Sequence, residues 1–195
     1  MSYPTQPAFI HTGTWSAETR AHPALKFLEE YAATHFDQQA WNTNHYSEWH
    51  THDWHFQKPD NTVHSGGHEA WTEGIPSIYG RFSGHWHDPT FFVVWETEEG
   101  YEMIGQANVW LDLDVAEGEL EKKKGEWEKV KDRNGKEWDA VMPGSFHFGF
   151  VKAEGGGENG HGLLMNYTQM FADSAPVTGL MIKAGLVTKE DLGFE

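Results

Sequence analysis

The chain has 195 residues, enough for one domain with a sizeable core. Thirty acidic against fourteen basic residues give a formal charge of -16, which repels phosphate backbones and anionic lipid surfaces, so neither nucleic acid nor a membrane is expected as a partner. The absence of cysteine excludes disulfides and thiolate metal sites, and no basic start, apolar run or long apolar span marks a leader or a membrane segment, so a soluble cytoplasmic protein is the expectation.

Residues 1 to 22 are polar and short of periodicity and read as a loosely attached arm. Pro23 stands where a first helical turn tolerates it, and Leu25, Leu28, Ala32 and Phe36 recur at helical spacing as far as about Trp41. Tyr46 to Phe56 alternates aromatic and polar residues and predicts a strand, with Thr62 to Ser65 as its short return. Gly66-Gly67 breaks the chain before a helix from about His68 to Gly80. Seven of the thirteen histidines fall between His50 and His87, interleaved with tryptophan and phenylalanine, a mixture suited to an apolar pocket holding a few proton-transfer groups.

Antiparallel sheet is expected next. Phe91 to Thr97 is β-branched and aromatic, Glu98-Glu99-Gly100 supplies a turn, and Tyr101 to Leu113 follows, with Met103, Gly105, Ala107, Val109, Leu111 and Leu113 on one face and Gln106, Asn108, Trp110 and Asp112 on the other. The charged run at about 115–138 predicts a solvated hairpin excursion. Strands resume at Ala140 to Lys152, turn at Gly155-Gly156-Gly157, and finish at Gly162 to Phe171. A last amphipathic piece, Pro176 to Leu186, predicts a helix within a C-terminal extension over 174–195.

Helices leading into a long bent sheet make an α+β fold with its helices gathered on one face. Between Pro23 and Asp173 the chain resembles the SnoaL-like and scytalone-dehydratase-like branch of the nuclear-transport-factor-2-like (NTF2-like) superfamily. The resemblance is carried by Ala32-Ala33-Thr34-His35-Phe36-Asp37 closing the first helix, Asp53-Trp54 in the first strand, Asp60-Asn61-Thr62, Gly66-Gly67-His68-Glu69-Ala70-Trp71, and Gly84-His85. It implies one domain over 23–173, an NTF2-like cone whose curved, mixed or antiparallel sheet holds helices on its concave face around a pocket. It also implies cofactor-free dehydration, isomerisation, cyclisation or hydrolysis of a hydrophobic polyketide- or terpenoid-type molecule, in secondary metabolism, by a homodimer. Asp37 is similar to the dehydratases' helix-end aspartate, and Trp54 stands where they carry a strand tyrosine. His85 is similar to one of their two catalytic histidines. Where the second belongs, the only polar candidates are Gln106 and Asn108.

The residues themselves leave alternatives open. Asp53 in an aromatic pocket would be a base of raised pKa, yet strand alternation puts Asp53 and His55 opposite His52, Trp54 and Phe56. The proton-handling pair is therefore read as His85 with either His52 or Asp53, and Asp37 as a further catalytic candidate. Trp41, Trp54, Phe56, His87, Asn108, His147 and Asn166 are expected to contact substrate, with Gln169 beside Asn166 as a second carbonyl-orienting group. No metal or cofactor is expected. Two other readings compete: a cupin-like metal site formed by His85, His87 and His147 with Glu96, and a non-catalytic ligand-binding or dimerisation module with Trp110 at the interface.

Overall fold

The computed structural model describes residues 6–42, 46–115, 127–154, 160–188 and 190. In chain order these give β1 (Ala8–Thr12), α1 (Ala17–Ala21), α2 (Pro23–Tyr31), α3 (Tyr46–Trp49), β2 (His50–Gln57), β3 (Val63–His64), α4 (Pro76–Tyr79), β4 (Phe82–Glu96), β5 (Gly100–Leu113), β6 (Val130–Lys131), β7 (Glu137–Trp138), β8 (Ala140–Lys152), β9 (Leu163–Ala172) and α5 (Ala175–Ala184). One seven-stranded sheet runs β1-β4-β5-β8-β9-β2-β3, antiparallel except where β2 lies parallel to β9. The apolar face of β5 is buried as its alternation requires, from Met103 to Leu113, and packs with Leu25, Phe27 and Leu28 of α2 in one core. The expected α+β cone is therefore present, its helices on the inner face of a mixed, curved sheet. Among the described residues no helix is long and apolar enough to cross a membrane.

The first strand, expected from Tyr46, begins only at His50, because Tyr46–Trp49 form the short helix α3. Four further features differ from the sequence expectation. The supposed arm contains β1, an edge strand that pairs Ala8 to Thr12 with Trp95 to Phe91 of β4. The first helix stops at Tyr31 and widens into a π turn over Ala32–Phe36, closed by Asp37 N–H donating to the Ala32 carbonyl at 2.8 Å. An i→i+5 turn rotates the next residues relative to the helix face before it, and here it brings Phe36 and Asp37 against β4. The second helix is likewise a π turn over Ala70–Gly74 followed by α4.

The fourth difference concerns the charged segment. Its residues 116–126 and the Gly155-Gly156-Gly157 turn lie outside the described residues; 127–138 is a hairpin with most of its residues exposed, but it is tied to the sheet rather than free of it. β6 and β7 pair as a hairpin against the outer face of the sheet, burying Trp138 and Asp132. Arg133 reaches Asp88 at 3.2 Å and stands over the Trp86 ring, and Lys136 approaches Asp112. Asp139 anchors the base by accepting from Leu113 N–H and Trp127 Nε1–H. Trp110, the register partner of Trp86, is itself buried, so it offers no open interface.

Candidate active site

Between the helices and the inner sheet face lies a narrow cavity of about 70 Å³ that opens to solvent. Its wall is apolar almost throughout: Leu28 and Phe36 from the helical side, Trp54 and Phe56 from β2, Phe146 and Phe148 from β8, Met165 and Met170 from β9. Trp15, just beyond β1, closes one end by stacking on Phe92 at 4.9 Å. The polar groups on this wall are few. They are His87, Tyr31, Tyr79, Thr168 and the segment at Gln106.

His87, on this wall, pairs closely with Asp37 behind it. Asp37 Oδ1 is 2.7 Å from His87 Nδ1, and Asp37 Oδ2 accepts from the His87 backbone N–H at 3.3 Å. Both side chains are largely buried, and this pairing fixes the ring's tautomer, with Nδ1–H donating to the carboxylate and Nε2 left as the acceptor. Nε2 accepts from the Tyr79 hydroxyl at 3.1 Å, which also reaches Met170 Sδ at 3.8 Å. Burial, and then the Asp37 charge, push the Tyr79 pKa up, so its hydroxyl stays a proton donor. The Tyr31 phenol is raised for the same reasons.

His85 sits behind this wall. It shares strand parity with His87, but its ring stacks on Trp41 at 5.8 Å and packs edge-on against Phe36. Burial, then the neighbouring His87, lower its pKa to about 3, so the ring is neutral at physiological pH and its 3.7 Å approach to Asp37 is no ion pair. Gln39, at φ 56°, donates to the Phe82 carbonyl at 2.9 Å and lies 3.5 Å from His85 Nδ1.

The remaining expectations divide sharply. Trp54 and Phe56 line the cavity, with Trp54 Nε1–H donating to the Thr168 hydroxyl at 3.2 Å. Trp41 is buried against His85 and does not line the cavity. His52 and Asp53 stand outside, with side chains 97% and 73% exposed. Alternation misplaces His52 because the β2–β9 register shifts between His50 and His55, a bulge that turns His52 away from the face shared by His50, Trp54 and Phe56. His147 points to the outer face, 2.5 Å from Glu102, because Phe146 and Phe148 hold the inner positions of β8. It therefore cannot join His85 and His87, and Glu96 is exposed beside Lys152, so the cupin-type set is not assembled. Asn108 pairs with Asp88 on the outward side of β5, and Asn166 lies against Gly149; neither lines the cavity. Gln169 bonds to Tyr167 instead of facing it.

Two contributors carried no local signal. Tyr79 falls inside a predicted helix, Trp15 inside the supposed arm, and both become wall residues only through contacts made by distant strands. His50 lies in the histidine-rich stretch, but it is a structural residue, its Nδ1 bonded to the Tyr46 carbonyl and its Nε2 to the Tyr31 hydroxyl, each at 3.1 Å.

No family model and no curated protein sequence matches the chain. Solved structures do match its fold. The Kfla4162 protein of Kribbella flavida aligns over 81% of this chain and 93% of its own at TM-score 0.56 and 14% identity. An NTF2-like superfamily protein of Salmonella enterica aligns over 80% and 93% at TM-score 0.53 and 9% identity. A putative scytalone dehydratase of Novosphingobium aromaticivorans aligns over 81% and 89% at TM-score 0.51 and 12% identity. The chain thus has the fold of these NTF2-like proteins.

Proposed function

We propose that the protein is a cofactor-independent acid–base enzyme of lyase or isomerase type, acting on a hydrophobic polyketide- or terpenoid-like molecule with His87 as the proton-transfer group and Asp37 as its orienting partner. The observation that carries this reading is the 2.7 Å His87–Asp37 contact on the wall of an otherwise apolar cavity. It shifts the sequence expectation, in which His85 worked with His52 or Asp53, onto two other residues of the same candidate set.

In a dehydration, His87 Nε2 takes a proton from the carbon next to a substrate carbonyl, and the C–H electron pair becomes the new double bond as the C–O bond breaks. Asp37 stabilises the imidazolium, which then gives its proton to the leaving hydroxyl, so that water departs. For Nε2 to act as the base, the Tyr79 O–H, 3.1 Å from it, turns from the nitrogen to the substrate's carbonyl oxygen, where it meets the charge that builds there. An isomerisation uses the same first step and returns the proton to a different carbon. Each such group contributes about 10²–10⁴-fold. Phe146, Phe148 and Trp54 exclude water and fix the substrate's shape, which strengthens the electrostatics of the dyad.

The test is proton abstraction itself. A panel of aromatic and terpenoid hydroxyketones is first screened for binding by tryptophan fluorescence. The binders are then incubated in D₂O, and deuterium uptake at the α-carbon is followed by NMR. Wild type is expected to accelerate exchange and His87→Ala to lose the acceleration while still binding. Equal exchange by both proteins would remove His87 from the mechanism. Tight binding with no exchange for any ligand would make the cavity a carrier site.

A further inference from the structure

We infer that Asp37, His85 and His87 also form a site for one divalent transition-metal ion of the zinc type, and that its occupancy switches His87 off as a base. The metal-binding half stands independently; the switching half rests on the function proposed above.

A carboxylate oxygen and one ring nitrogen from each histidine lie within 4.8 Å of one another. Asp37 Oδ1 is 2.7 Å from His87 Nδ1 and 3.7 Å from His85 Nε2. A tetrahedral ion about 2.0–2.1 Å from each donor asks for donors roughly 3.3 Å apart, so the Asp37–His87 gap opens and the Asp37–His85 gap closes by about half an ångström, and the two ring nitrogens, within 4.8 Å, adjust to the same spacing. Two imidazoles and a carboxylate suit zinc and its first-row neighbours, and they are borderline ligands that magnesium or calcium would not select.

A second, independent observation points to the same occupant. His85 Nε2 is fully buried, faces Asp37, and has no hydrogen-bond partner among the described residues. A ring nitrogen left so is costly, and a metal ion supplies its missing partner. On the other side of the ring, His85 Nδ1 lies 3.5 Å from Gln39 Nε2, so that nitrogen already has a neighbour within the protein while Nε2 has none. Access comes from behind the cavity: a polar cleft bounded by Gln38, Trp86, Asp132, Asn134 and Lys136 reaches Asp37 and His85 from solvent. Waters in that cleft can complete the coordination, and the -16 charge of the chain raises the local cation concentration.

The switch follows from the tautomers of His87. Without metal, Nδ1–H donates to Asp37 and Nε2 is free to accept a proton. With metal on Nδ1, the proton of the neutral ring moves to Nε2, which donates to the Tyr79 oxygen while the Tyr79 hydroxyl donates to Met170 Sδ. Both arrangements satisfy their hydrogen bonds. The second presents no basic nitrogen to the cavity.

The experiment uses the full chain, stripped with EDTA, dialysed, and titrated with zinc against a chromophoric chelator at neutral pH. One tight equivalent is expected for wild type, weakened at least about tenfold in His85→Ala and in Asp37→Asn. His147→Ala, altered on the outer face beside Glu102, should titrate like wild type. Zinc should raise the melting temperature of wild type but not of His85→Ala, and circular dichroism identifies any variant that fails to fold, in which case Asp37→Asn carries the comparison. No tight equivalent in wild type, or equal affinity in all variants, overturns the site. Zinc that binds at this site without slowing deuterium exchange overturns the switch alone, and exchange without zinc binding leaves the acid–base function standing and removes the metal.

Discussion

Two buried histidines should make this protein acid-sensitive from a pH well above the carboxylate range. Burial, as the first cause, holds His50 at about 3 and His85 at about 3, while an unfolded histidine titrates near 6.5. The folded values are the lower ones, so the unfolded chain binds more protons as pH falls. The contribution is therefore fully present above pH 6.5 and lost between there and about pH 3. Each group costs about 1.4 kcal/mol per pH unit in that window, so moving from about pH 7 to about pH 5 removes about 2 kcal/mol for each and about 4 kcal/mol for both. That is a large fraction of the 5–15 kcal/mol or so that holds a typical domain. Urea unfolding followed by tryptophan fluorescence across this range measures the slope directly. His50→Gln keeps polar partners for Tyr31 and the Tyr46 carbonyl but cannot titrate, so its stability curve should be flatter than wild type by about 1.4 kcal/mol per pH unit, whatever its absolute loss. Parallel curves for the two proteins would refute the claim that His50 is held neutral.

Further outcomes rest on single contacts. Asp37→Asn leaves the cavity intact but no longer stabilises the His87 imidazolium or selects its tautomer, so kcat should fall by about 10²–10⁴-fold with little change in ligand affinity. Gly67→Ala puts a Cβ at φ +59° against the His52 carbonyl and the Tyr46 hydroxyl, neither of which can retreat without breaking β2. It should cost at least about 2 kcal/mol and lower Tm by roughly 4 °C or more in a calorimetric scan. Phe36→Ala removes the ring packed edge-on against both His85 and His87, at 5.5 and 5.2 Å, and should let water pass from the polar cleft to the dyad. The readout is loss of deuterium exchange larger than the loss of ligand affinity; equal losses would make Phe36 merely a wall residue.

Legibility in the sequence tracks the range of the interactions. The buried face of β5 was legible because alternation is local, and Met103 to Leu113 repeats it without interruption. β1 was not, because Ala8 to Thr12 is a strand only by virtue of β4, 79 to 87 positions away. The bulge in β2 reversed His52 although the composition around it is unchanged. Asp37 and His87 were each legible as candidates, the first through family resemblance and the second through the histidine pair on one strand. Their partnership, fifty positions apart, was not.

The choice between His85 and His87 shows why parity alone cannot assign a catalytic residue. Two positions along a strand restore the same face but advance the side chain by roughly 6.6 Å, about the thickness of one aromatic layer. In β4 that layer is Phe36, which contacts both rings, with Trp41 backing His85 and Phe146 meeting His87 at 5.6 Å. One imidazole therefore faces the apolar cavity and the other the polar cleft, while Asp37, delivered by the π turn, touches both. The site is a carboxylate set between two environments of different polarity. The helix end thus sets which imidazole lines the apolar cavity and which is buried behind Phe36.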